Sequence, residues 1–408
     1  MSLYINNITS KLSFEVLAKW SFYLLVMTLP LGLFLNTLFS IFFFLLFTTH
    51  VIISDRLNGN NKLTKLIIMN LPLLLPFLSL TFSENLEESA KILFKTTPIF
   101  FFSIFAVYKN SWFKNKIKTA FKFLVAGCLL AAVFCWAMAI YDLFSNGLPL
   151  IYIFNKEFSH HHLSGIVGVH TPYLALFINT ALIFMLFGHD HTEKLFSGGM
   201  FYFSFTVLVL FLVHLMARNA IFCLIIYSMF YLIWNRKWTV LLCLSLSLSA
   251  IFIKILLMDN NSLRDRLFSS VNLFEKETVF KKQDKRFVRW SSSLEVFRRA
   301  PIFGVGTGGI DFFRKKEYLK RLDSEAYNLN YNSHNQYIEY LSTYGLLGSI
   351  CLLFLAGHIF KLISQKKSVF LAVLFFSFLI AMLTESMMVR AWGISFFGIL
   401  YITLYSWE

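Results

Sequence analysis

The sequence predicts an all-α polytopic membrane protein with about twelve transmembrane helices and one large helical loop on the non-cytoplasmic side. Of the 408 residues, 57% are hydrophobic, 14% are charged and 49 are Phe. Soluble domains carry about 25% charged residues, so lipid must surround most of this chain. Apolar runs of about 17–23 residues recur along the sequence, and each is long enough to cross a bilayer as a helix.

Twelve such runs are the candidate spans. Their approximate bounds are 19–36, 37–54, 65–82, 92–108, 121–143, 171–188, 197–215, 218–234, 238–257, 343–363, 367–384 and 389–406, with a short turn near Asn36 between the first two. They divide the chain into a bundle of about nine spans at 1–257, a loop with amphipathic helices at 258–342, and a bundle of about three spans at 343–408.

Lys and Arg residues indicate which side of the membrane each loop faces. Alternate short loops are basic, whereas the opposite short loops are poor in Lys and Arg, and 83–89 is acidic. Positive charge in short loops is typical of the cytoplasmic side. We therefore predict that both termini are cytoplasmic and that the longer connections, at about 145–170 and 258–342, face the other side.

The loop at 258–342 contains 15 Lys and Arg residues against 11 Asp and Glu residues. A connection of this length usually has a function of its own. Its positive charge suits either anionic lipid headgroups or a polyanionic substrate, and charge alone does not separate the two. The overall net charge of +15 is shared between this loop and the cytoplasmic loops, so it does not indicate nucleic-acid binding.

Arg286 and Arg289 lie in a segment of this loop with helical periodicity. Its apolar residues recur at helical spacing, at Phe287, Trp290, Leu294 and Phe297. They predict the apolar face of a helix that lies on the membrane or on the bundle. Arg286, Arg289 and Ser293 fall on a neighbouring face, where guanidinium groups are suited to hold phosphate oxygens.

A glycine-rich stretch follows this helix, with the sequence Pro301-Ile-Phe-Gly304-Val-Gly306-Thr-Gly308-Gly309. No βαβ pattern surrounds it, so it is not a dinucleotide-binding fingerprint. We predict a tight turn after the helix. Close approach of the backbone to a phosphate is the alternative interpretation.

His334 ends the loop, in the sequence Ser333-His334-Asn335-Gln336. Ser333 with Gln336 three residues later is a capping-box pattern, which predicts His334 in the first turn of the next helix. The positive end of the helix dipole disfavours imidazolium there and so favours the neutral form that a general base needs. A surface histidine without a chemical role is the alternative.

Other polar and ionisable residues fall at span ends on the same predicted face as His334. Charged groups near membrane depth are costly and are candidates for functional residues, with lipid anchoring as the alternative for each. The residues are Arg218, His170, Tyr173, Glu385 and Arg390.

The sequence predicts no metal site and no cofactor. The run His160-His161-His162 has no companion Cys or carboxylate pattern, and His189-Asp190-His191 is predicted to be a solvated cytoplasmic loop. The five cysteines lie in apolar runs without a CxxC spacing, which predicts small buried hydrophobic residues.

Over nearly its whole length, the chain resembles the O-antigen ligase and polymerase family of bacterial envelope glycosyltransferases. The resemblance lies in the spans, the long loop before the tenth span, an Arg four residues before a Trp, a Pro and Gly turn, and a His-Asn-x-x-Ile motif before Gly-x-x-Gly. The matching residues are Arg286, Trp290, Pro301, Gly304, Gly306, His334, Asn335, Ile338, Gly345 and Gly348. Arg218 matches an Arg at the outer end of the eighth span, and Glu385 and Arg390 match more loosely.

The resemblance implies transfer of a glycan from an undecaprenyl-pyrophosphate carrier to an acceptor at the periplasmic face of the inner membrane, without a metal. Ligases use lipid A core oligosaccharide as the acceptor, polymerases use another carrier-linked repeat unit, and related members glycosylate proteins. The motif at His334 and the size of the loop favour the ligase.

Roles follow from that reaction. His334 is the expected base, and Arg286 and Arg218 are expected to stabilise the pyrophosphate leaving group. A single displacement inverts the anomeric centre. The candidates for substrate binding are Arg289, Arg390, Asn335, His170, Tyr173, Glu339 and Glu385. Glu339, one helical turn beyond Asn335, is a candidate for orienting the site, with a surface residue as the alternative.

A transporter or flippase of the same lipid-linked glycans is the alternative from another class. Such a protein needs charges that line a path through the bilayer and often has inverted repeats. In this sequence the charges cluster at one face and no repeat is evident. A purely structural scaffold would not need a histidine at a helix start facing several arginines, so the sequence favours an enzyme.

Overall fold

The computed structural model describes residues 2–54, 62–188, 198–239 and 285–408. Within these ranges the chain is helical and has no β-strand, which confirms the all-α class. The helices are α1 (Ser2–Met27), α2 (Leu33–Ser54), α3 (Leu63–Met69), α4 (Leu71–Ser79), α5 (Leu86–Thr96), α6 (Pro98–Tyr108), α7 (Asn110–Ser145), α8 (His160–Gly165), α9 (Thr171–Phe187), α10 (Gly198–His214), α11 (Arg218–Trp234), α12 (Lys285–Arg299), α13 (Ile310–Lys320), α14 (Ser324–Asn328), α15 (Gln336–Lys366), α16 (Val369–Met382) and α17 (Ala391–Ser406).

Four helical segments among the described residues are long and apolar enough to cross a membrane: α2, α5 with α6, α7 and α15. The α3–α4 pair, which is bent by 65°, makes a fifth if it counts as one span. Shorter apolar helices, between 10 and 17 residues long, are α9, α10, α11, α16 and α17. These helices indicate a multi-pass membrane protein, and the count of about twelve spans stays a prediction.

The predicted spans each fall on described helices, except that 238–257 lies almost wholly outside the described residues. The turn predicted near Asn36 is wrong, because α1 ends at Met27 and a 3-10 turn at Leu29–Leu31 leads into α2. Pro30 lies in that turn, where its missing N–H is tolerated. The buried Asn36 side chain, inside α2, donates to the carbonyl of Leu25 at 3.0 Å.

Helix α9 occupies the centre of the bundle. Every residue from Tyr173 to Met185 is buried, and the helix packs against α7, α10, α11 and α16. The buried amide of Asn179 donates to the Ala220 carbonyl at 3.0 Å and accepts from the Tyr227 hydroxyl at 2.9 Å. Since buried polar groups need such partners, these bonds fix α9 beside α11.

Helix α15 is broken at Gly345, where φ is 63° and ψ is −155°. The break releases backbone N–H groups from the helix, and the loop supplies their partners. The Leu346 N–H donates to the Pro301 carbonyl at 2.8 Å, and the Leu347 N–H donates to the Ile302 carbonyl at 3.2 Å. The turn that begins at Pro301 is therefore inserted into the kink of a membrane helix.

Glycine makes this insertion possible. Gly304 has φ of 71°, and a Cβ there would meet the Thr343 carbonyl oxygen at 2.2 Å. A Cβ on Gly308 would meet the Ser83 hydroxyl oxygen at 2.0 Å, so the turn also packs closely on the segment before α5. The prediction of a tight turn is confirmed, and its close backbone contacts are with protein atoms.

Candidate active site

His334 lies just before α15 rather than inside it. Asn335 is the N-cap, and its side-chain oxygen accepts from the N–H groups of Tyr337 and Ile338 at 3.0 and 3.1 Å. The predicted capping box at Ser333 is therefore wrong, because the Asn335 side chain caps the helix two residues later. The Asn335 amide also donates to the Leu383 carbonyl at 3.0 Å, which ties the helix start to the end of α16.

The His334 backbone has φ of 49°, in the left-handed region that non-glycine residues rarely adopt. Its N–H donates to the Asn332 side-chain oxygen at 3.0 Å. The imidazole packs edge-on against the Tyr331 ring, with 5.5 Å between the ring centroids. The neighbouring groups therefore hold the residue in a strained conformation, which is common at functional sites.

The imidazole of His334 is paired with Glu385, in the turn between α16 and α17. His334 Nδ1 lies 3.0 Å from Glu385 Oε2, and Glu385 is only 1% exposed. His334 Nε2 and Glu385 Oε1 are buried and have no hydrogen-bond partner within the described ranges. A proton on Nδ1, shared with the carboxylate, leaves the Nε2 lone pair available to a ligand.

Electrostatics favour an ionised Glu385. Burial alone would raise the pKa of this carboxyl, but the hydrogen bond from His334 and the electrostatic interactions with His334, His170 and Arg390 outweigh burial and lower the pKa. The Arg390 side chain is half-buried, and its guanidinium has no hydrogen bond or ion pair to the part of the chain that the structure describes. The ionised carboxylate can therefore orient and stabilise the imidazole.

His170 and Tyr173 lie at the start of α9, beside the turn that carries Glu385. Burial lowers the pKa of His170 from 6.5 to about 4, although the charge of Glu385 opposes this shift. Tyr173 is fully buried and donates its hydroxyl to the Ser386 carbonyl at 3.3 Å. The Tyr173 ring also packs against the Trp392 ring, with centroids 5.6 Å apart. Tyr173 thus holds the Glu385 turn in place.

A cavity of about 560 Å³ opens between α9, α11, α12 and α16. Arg218, the first residue of α11, and Arg286, in the first turn of α12, both line it. Thr384 and Met387, on either side of Glu385 in sequence, line it as well. The cavity therefore brings two of the predicted catalytic residues together next to the turn that carries the partner of His334.

The cavity is lined by both polar and apolar residues. The polar ones include the two arginines and residues at the starts of α9 and α11, and helix starts favour anions. Leu176, Phe222 and Ala381 are among the apolar ones. Such a cavity suits an amphipathic ligand with an anionic head and a hydrocarbon tail.

Arg289 does not line this cavity. The residue is buried, with Nε 3.6 Å from Asp323 Oδ2 and Nη2 3.9 Å from Glu325 Oε2. Its guanidinium lies over the Tyr331 ring, 4.4 Å from the centroid, and Tyr331 packs against His334. All of these contacts are with other protein side chains. They connect Arg289 to His334 through the Tyr331 ring.

The buried face of α12 is not the apolar face predicted from the sequence. Arg289, Ser293 and Val296 face the protein, whereas Phe287 and Leu294 are exposed. Of the two predicted positions for the apolar stripe, the membrane and the bundle, Phe287 and Leu294 do not take the second, because the face of α12 that is buried on the protein carries Arg289 and Ser293. A membrane contact for the exposed apolar residues stays a prediction.

Sequence reasoning missed two residues that join elements at the site. Asn219 donates its amide to the Thr384 hydroxyl at 2.9 Å and to the Ile380 carbonyl at 3.0 Å. The Gln336 side-chain oxygen accepts from the Met388 N–H at 2.6 Å. Asn219 follows Arg218 and Gln336 follows Asn335 in the sequence. This adjacency to predicted residues was the only sign in the sequence that they belong to the site.

Of the histidine run, His160 lines the cavity and His161 Nδ1 lies 2.8 Å from the Thr171 hydroxyl. No group of three or more His, Cys, Asp or Glu side chains is arranged to hold a metal ion among the residues that the structure describes. Cys128, Cys135 and Cys223 are buried, as predicted, whereas Cys351 is only partly buried. His189-Asp190-His191 and Cys243 lie outside the described residues.

Comparison with known proteins bears on this site. Residues 203–353, which include Arg218, Arg286 and His334, match the family model described as O-Antigen ligase. An uncharacterized protein of Haemophilus influenzae is 38% identical over 84 residues, which cover 20% of this chain and 21% of that protein. The chain thus aligns with about a fifth of that relative's length. The resemblance seen in the sequence motifs is confirmed over residues 203–353, which are similar to the O-antigen ligase family model.

Proposed function

We propose that this protein is an O-antigen ligase, which transfers a glycan from undecaprenyl pyrophosphate to lipid A core oligosaccharide at the periplasmic face of the bacterial inner membrane. Members of its family are glycosyltransferase-like enzymes, and the family implies lipid-linked glycan substrates in the membrane. The observation that carries the proposal is the His334–Glu385 pair, whose Glu385 lies in sequence between Thr384 and Met387 of a cavity that Arg218 and Arg286 also line.

In the proposed reaction, the hydroxyl oxygen of the acceptor attacks the anomeric carbon of the donor sugar. The bond from that carbon to the phosphate oxygen breaks, and undecaprenyl pyrophosphate leaves with the bonding electrons. His334 Nε2 takes the hydroxyl proton, and Glu385 stabilises the imidazolium that results. A positioned base of this kind contributes about 10²–10⁴ in rate. One displacement inverts the anomeric centre.

The leaving group carries two phosphates, so its developing charge needs fixed cations. Arg218 and Arg286 supply them in the proposed site, since a guanidinium fork matches phosphate geometry and keeps its charge at every relevant pH. Arg390 is a further candidate for a substrate phosphate, because its guanidinium has no hydrogen-bond partner among the described residues. In this mechanism, side chains of the protein compensate all the developing negative charge of the leaving group.

The apolar lining residues of the cavity, such as Leu176, Phe222 and Ala381, would contact the first isoprene units of the carrier. The remaining candidates position other residues of the site. Tyr173 and Asn335 hydrogen-bond to the turn between α16 and α17, and the Arg289 guanidinium lies over the Tyr331 ring. His170, which is neutral, lies next to Glu385. In this proposal both termini are cytoplasmic and the cavity opens toward the periplasm.

The test uses cells that lack this protein, complemented with wild type, His334→Ala or His162→Ala. His162 is exposed and serves as the matched control. Surface glycan is resolved by length on a gel, and carrier-linked glycan is extracted separately. Full-length polymer that accumulates on the carrier, with none on lipid A core, supports the ligase.

Two results would overturn parts of the proposal. A core that bears a single repeat unit would mean that the protein is a polymerase, which joins carrier-linked repeat units. Normal glycan in cells with His334→Ala would remove His334 as the base, and a transporter of lipid-linked glycan would then be the better explanation.

A further inference from the structure

Arg314 and Glu339 form a buried ion pair next to the segment that carries His334. Arg314, from α13, is 3% exposed and Glu339, from α15, is 4% exposed. Arg314 Nη1 lies 2.9 and 2.7 Å from the two carboxylate oxygens of Glu339, and Nη2 lies 2.8 Å from Asp311 Oδ1. Burial opposes the charge of Arg314, but Glu339 and Asp311 outweigh burial and raise its pKa.

Glu339 also binds the residue that precedes His334. Its Oε2 accepts from the Ser333 N–H at 2.9 Å and from the Ser333 hydroxyl at 2.7 Å. Both carboxylate oxygens of Glu339 are therefore occupied by protein donors. With so little exposure and with protein donors on both oxygens, Glu339 is poorly suited to bind a substrate hydroxyl directly, which was one of its predicted roles.

The same contact reaches the other half of the His334–Glu385 pair. Ser333 Oγ lies 3.4 Å from Ser386 Oγ. Ser333 precedes His334 and Ser386 follows Glu385, so the immediate neighbours of both partners meet beside Glu339. The geometry of the pair thus depends on where the Glu339 carboxylate holds Ser333.

The left-handed backbone of His334 needs such support. A non-glycine residue in this region is strained and persists only where its surroundings hold it. Chain neighbours on both sides are fixed, with Asn335 as the helix cap and Ser333 on the carboxylate. Loss of the Ser333 contact would let the backbone relax and move the imidazole away from its reacting position.

We propose that Glu339 is a positioning residue, which Arg314 holds in place and which sets the orientation of His334 through Ser333. The inference rests on the proposed function and names the contacts that make its base effective. It assigns to the loop helix α13 a part in the reaction, although Arg314 itself touches no substrate.

Two double variants separate the hydrogen-bond acceptor from the charge. Arg314→Met with Glu339→Gln leaves an oxygen that accepts from Ser333, whereas Arg314→Met with Glu339→Leu leaves none. Neither variant leaves one partner of the Arg314–Glu339 pair charged and buried alone, which is the main cause of misfolding when such a pair is broken. Asp311 loses Arg314 in both variants, but its side chain is 29% exposed and keeps the hydrogen bond from Asn330. Each protein is purified in detergent and its thermal unfolding is compared with that of wild type.

Transfer is measured with carrier-linked glycan and lipid A core, both extracted from cells that lack the protein. We expect the Leu variant to lose kcat by about 100-fold, since a displacement of about 1 Å has that effect. The KM for both substrates should stay within about threefold. The Gln variant, which keeps the acceptor for Ser333 but loses Arg314, should have a clearly higher kcat than the Leu variant. Equal kcat in the two variants, or a raised KM with an unchanged kcat, would overturn the inference.

If either double variant fails to fold, the inference is tested by comparing the kcat of Ser333→Ala with that of the control variant Ser342→Ala. The Ser342 hydroxyl makes only local bonds to Ile338 and Glu339 carbonyls within the same helix. A lower kcat in Ser333→Ala alone supports the inference, and equal kcat in both rejects it. Should His334→Ala remain active, the proposed function itself fails. Should His334→Ala be inactive while the Leu variant is fully active, only this inference fails.

Discussion

His334 Nδ1 and Glu385 Oε2 lie 3.0 Å apart, although 51 residues separate them in the chain. The carboxylate is buried and bound to one nitrogen, so it fixes both the tautomer and the direction of the ring. The opposite nitrogen is the one that would take the proton of the acceptor hydroxyl in the proposed reaction. In that proposal, the pairing orients a strained histidine as the base.

We expect Glu385→Ala to lower glycan transfer by at least about 10²-fold, because the imidazole loses its orientation and the imidazolium loses its counter-charge. Glu385→Gln should recover part of the rate, since an amide oxygen still accepts from Nδ1. Glu295→Gln is the control, because Glu295 pairs only with Arg298 on the exposed side of α12. An unchanged rate in Glu385→Ala would contradict the role assigned to the pair.

Arg218→Ala and Arg286→Ala should each reduce transfer by about 10²–10³-fold, as expected when a group that stabilises a developing anion is removed. The lysine variants should regain only part of the rate, because an ammonium lacks the planar fork. Arg298→Ala provides a matched change, since the Arg298 side chain is 74% exposed. A lysine variant as active as wild type would show that charge alone suffices at that position.

Gly345→Ala should destabilise the protein by about 1–3 kcal/mol. The new Cβ would meet the Ile302 carbonyl oxygen at 2.5 Å, in a backbone conformation with φ of 63°. Gly357→Ala, in the same helix but in open space, should be neutral or slightly stabilising, by up to about 1 kcal/mol. Thermal unfolding in detergent compares the two, and equal midpoints would contradict the close packing at the kink.

His170 makes stability depend on pH. As the pH falls below 6.5 the unfolded chain takes up a proton at this residue, but the folded protein does so only near pH 4. Stability therefore falls with pH across that window, by about 2 kcal/mol between pH 7 and 4.5. His170→Asn should lose correspondingly less stability over the same range, whereas His162→Asn, at an exposed site, should behave as wild type. Parallel loss in all three proteins would refute the buried, neutral His170.

The helices were predictable because lipid demands long apolar runs, and these stand out in the sequence. Helix ends were less predictable, since they depend on which side chain caps the backbone. Pro30 rather than Asn36 marks the first turn, and Asn335 rather than Ser333 caps α15.

The site was predictable only in part. The motif residues and a predicted common membrane face placed His334, Arg218, Arg286 and Glu385 in one hypothesis. The structure pairs His334 with Glu385 and places Arg218 and Arg286 on one cavity, while their catalytic roles stay predictions. Contacts between distant segments carry no local pattern. Only the folded chain therefore reveals the ion pair between Arg289 and Asp323 and the hydrogen bond that Ser333 donates to Glu339.

The hydrogen bonds from Leu346 and Leu347 to Pro301 and Ile302 have a consequence for engineering this protein. In a chimera whose junctions lie at the ends of the long loop, the donors of these bonds would come from one protein and the acceptors from the other, because N–H groups of the membrane helix bond to loop carbonyls. A loop transplanted from a relative would therefore need to include the whole segment from Pro301 through Leu347. Chimeras joined within that segment should fail to insert stably, whatever glycan specificity the transplanted part encodes.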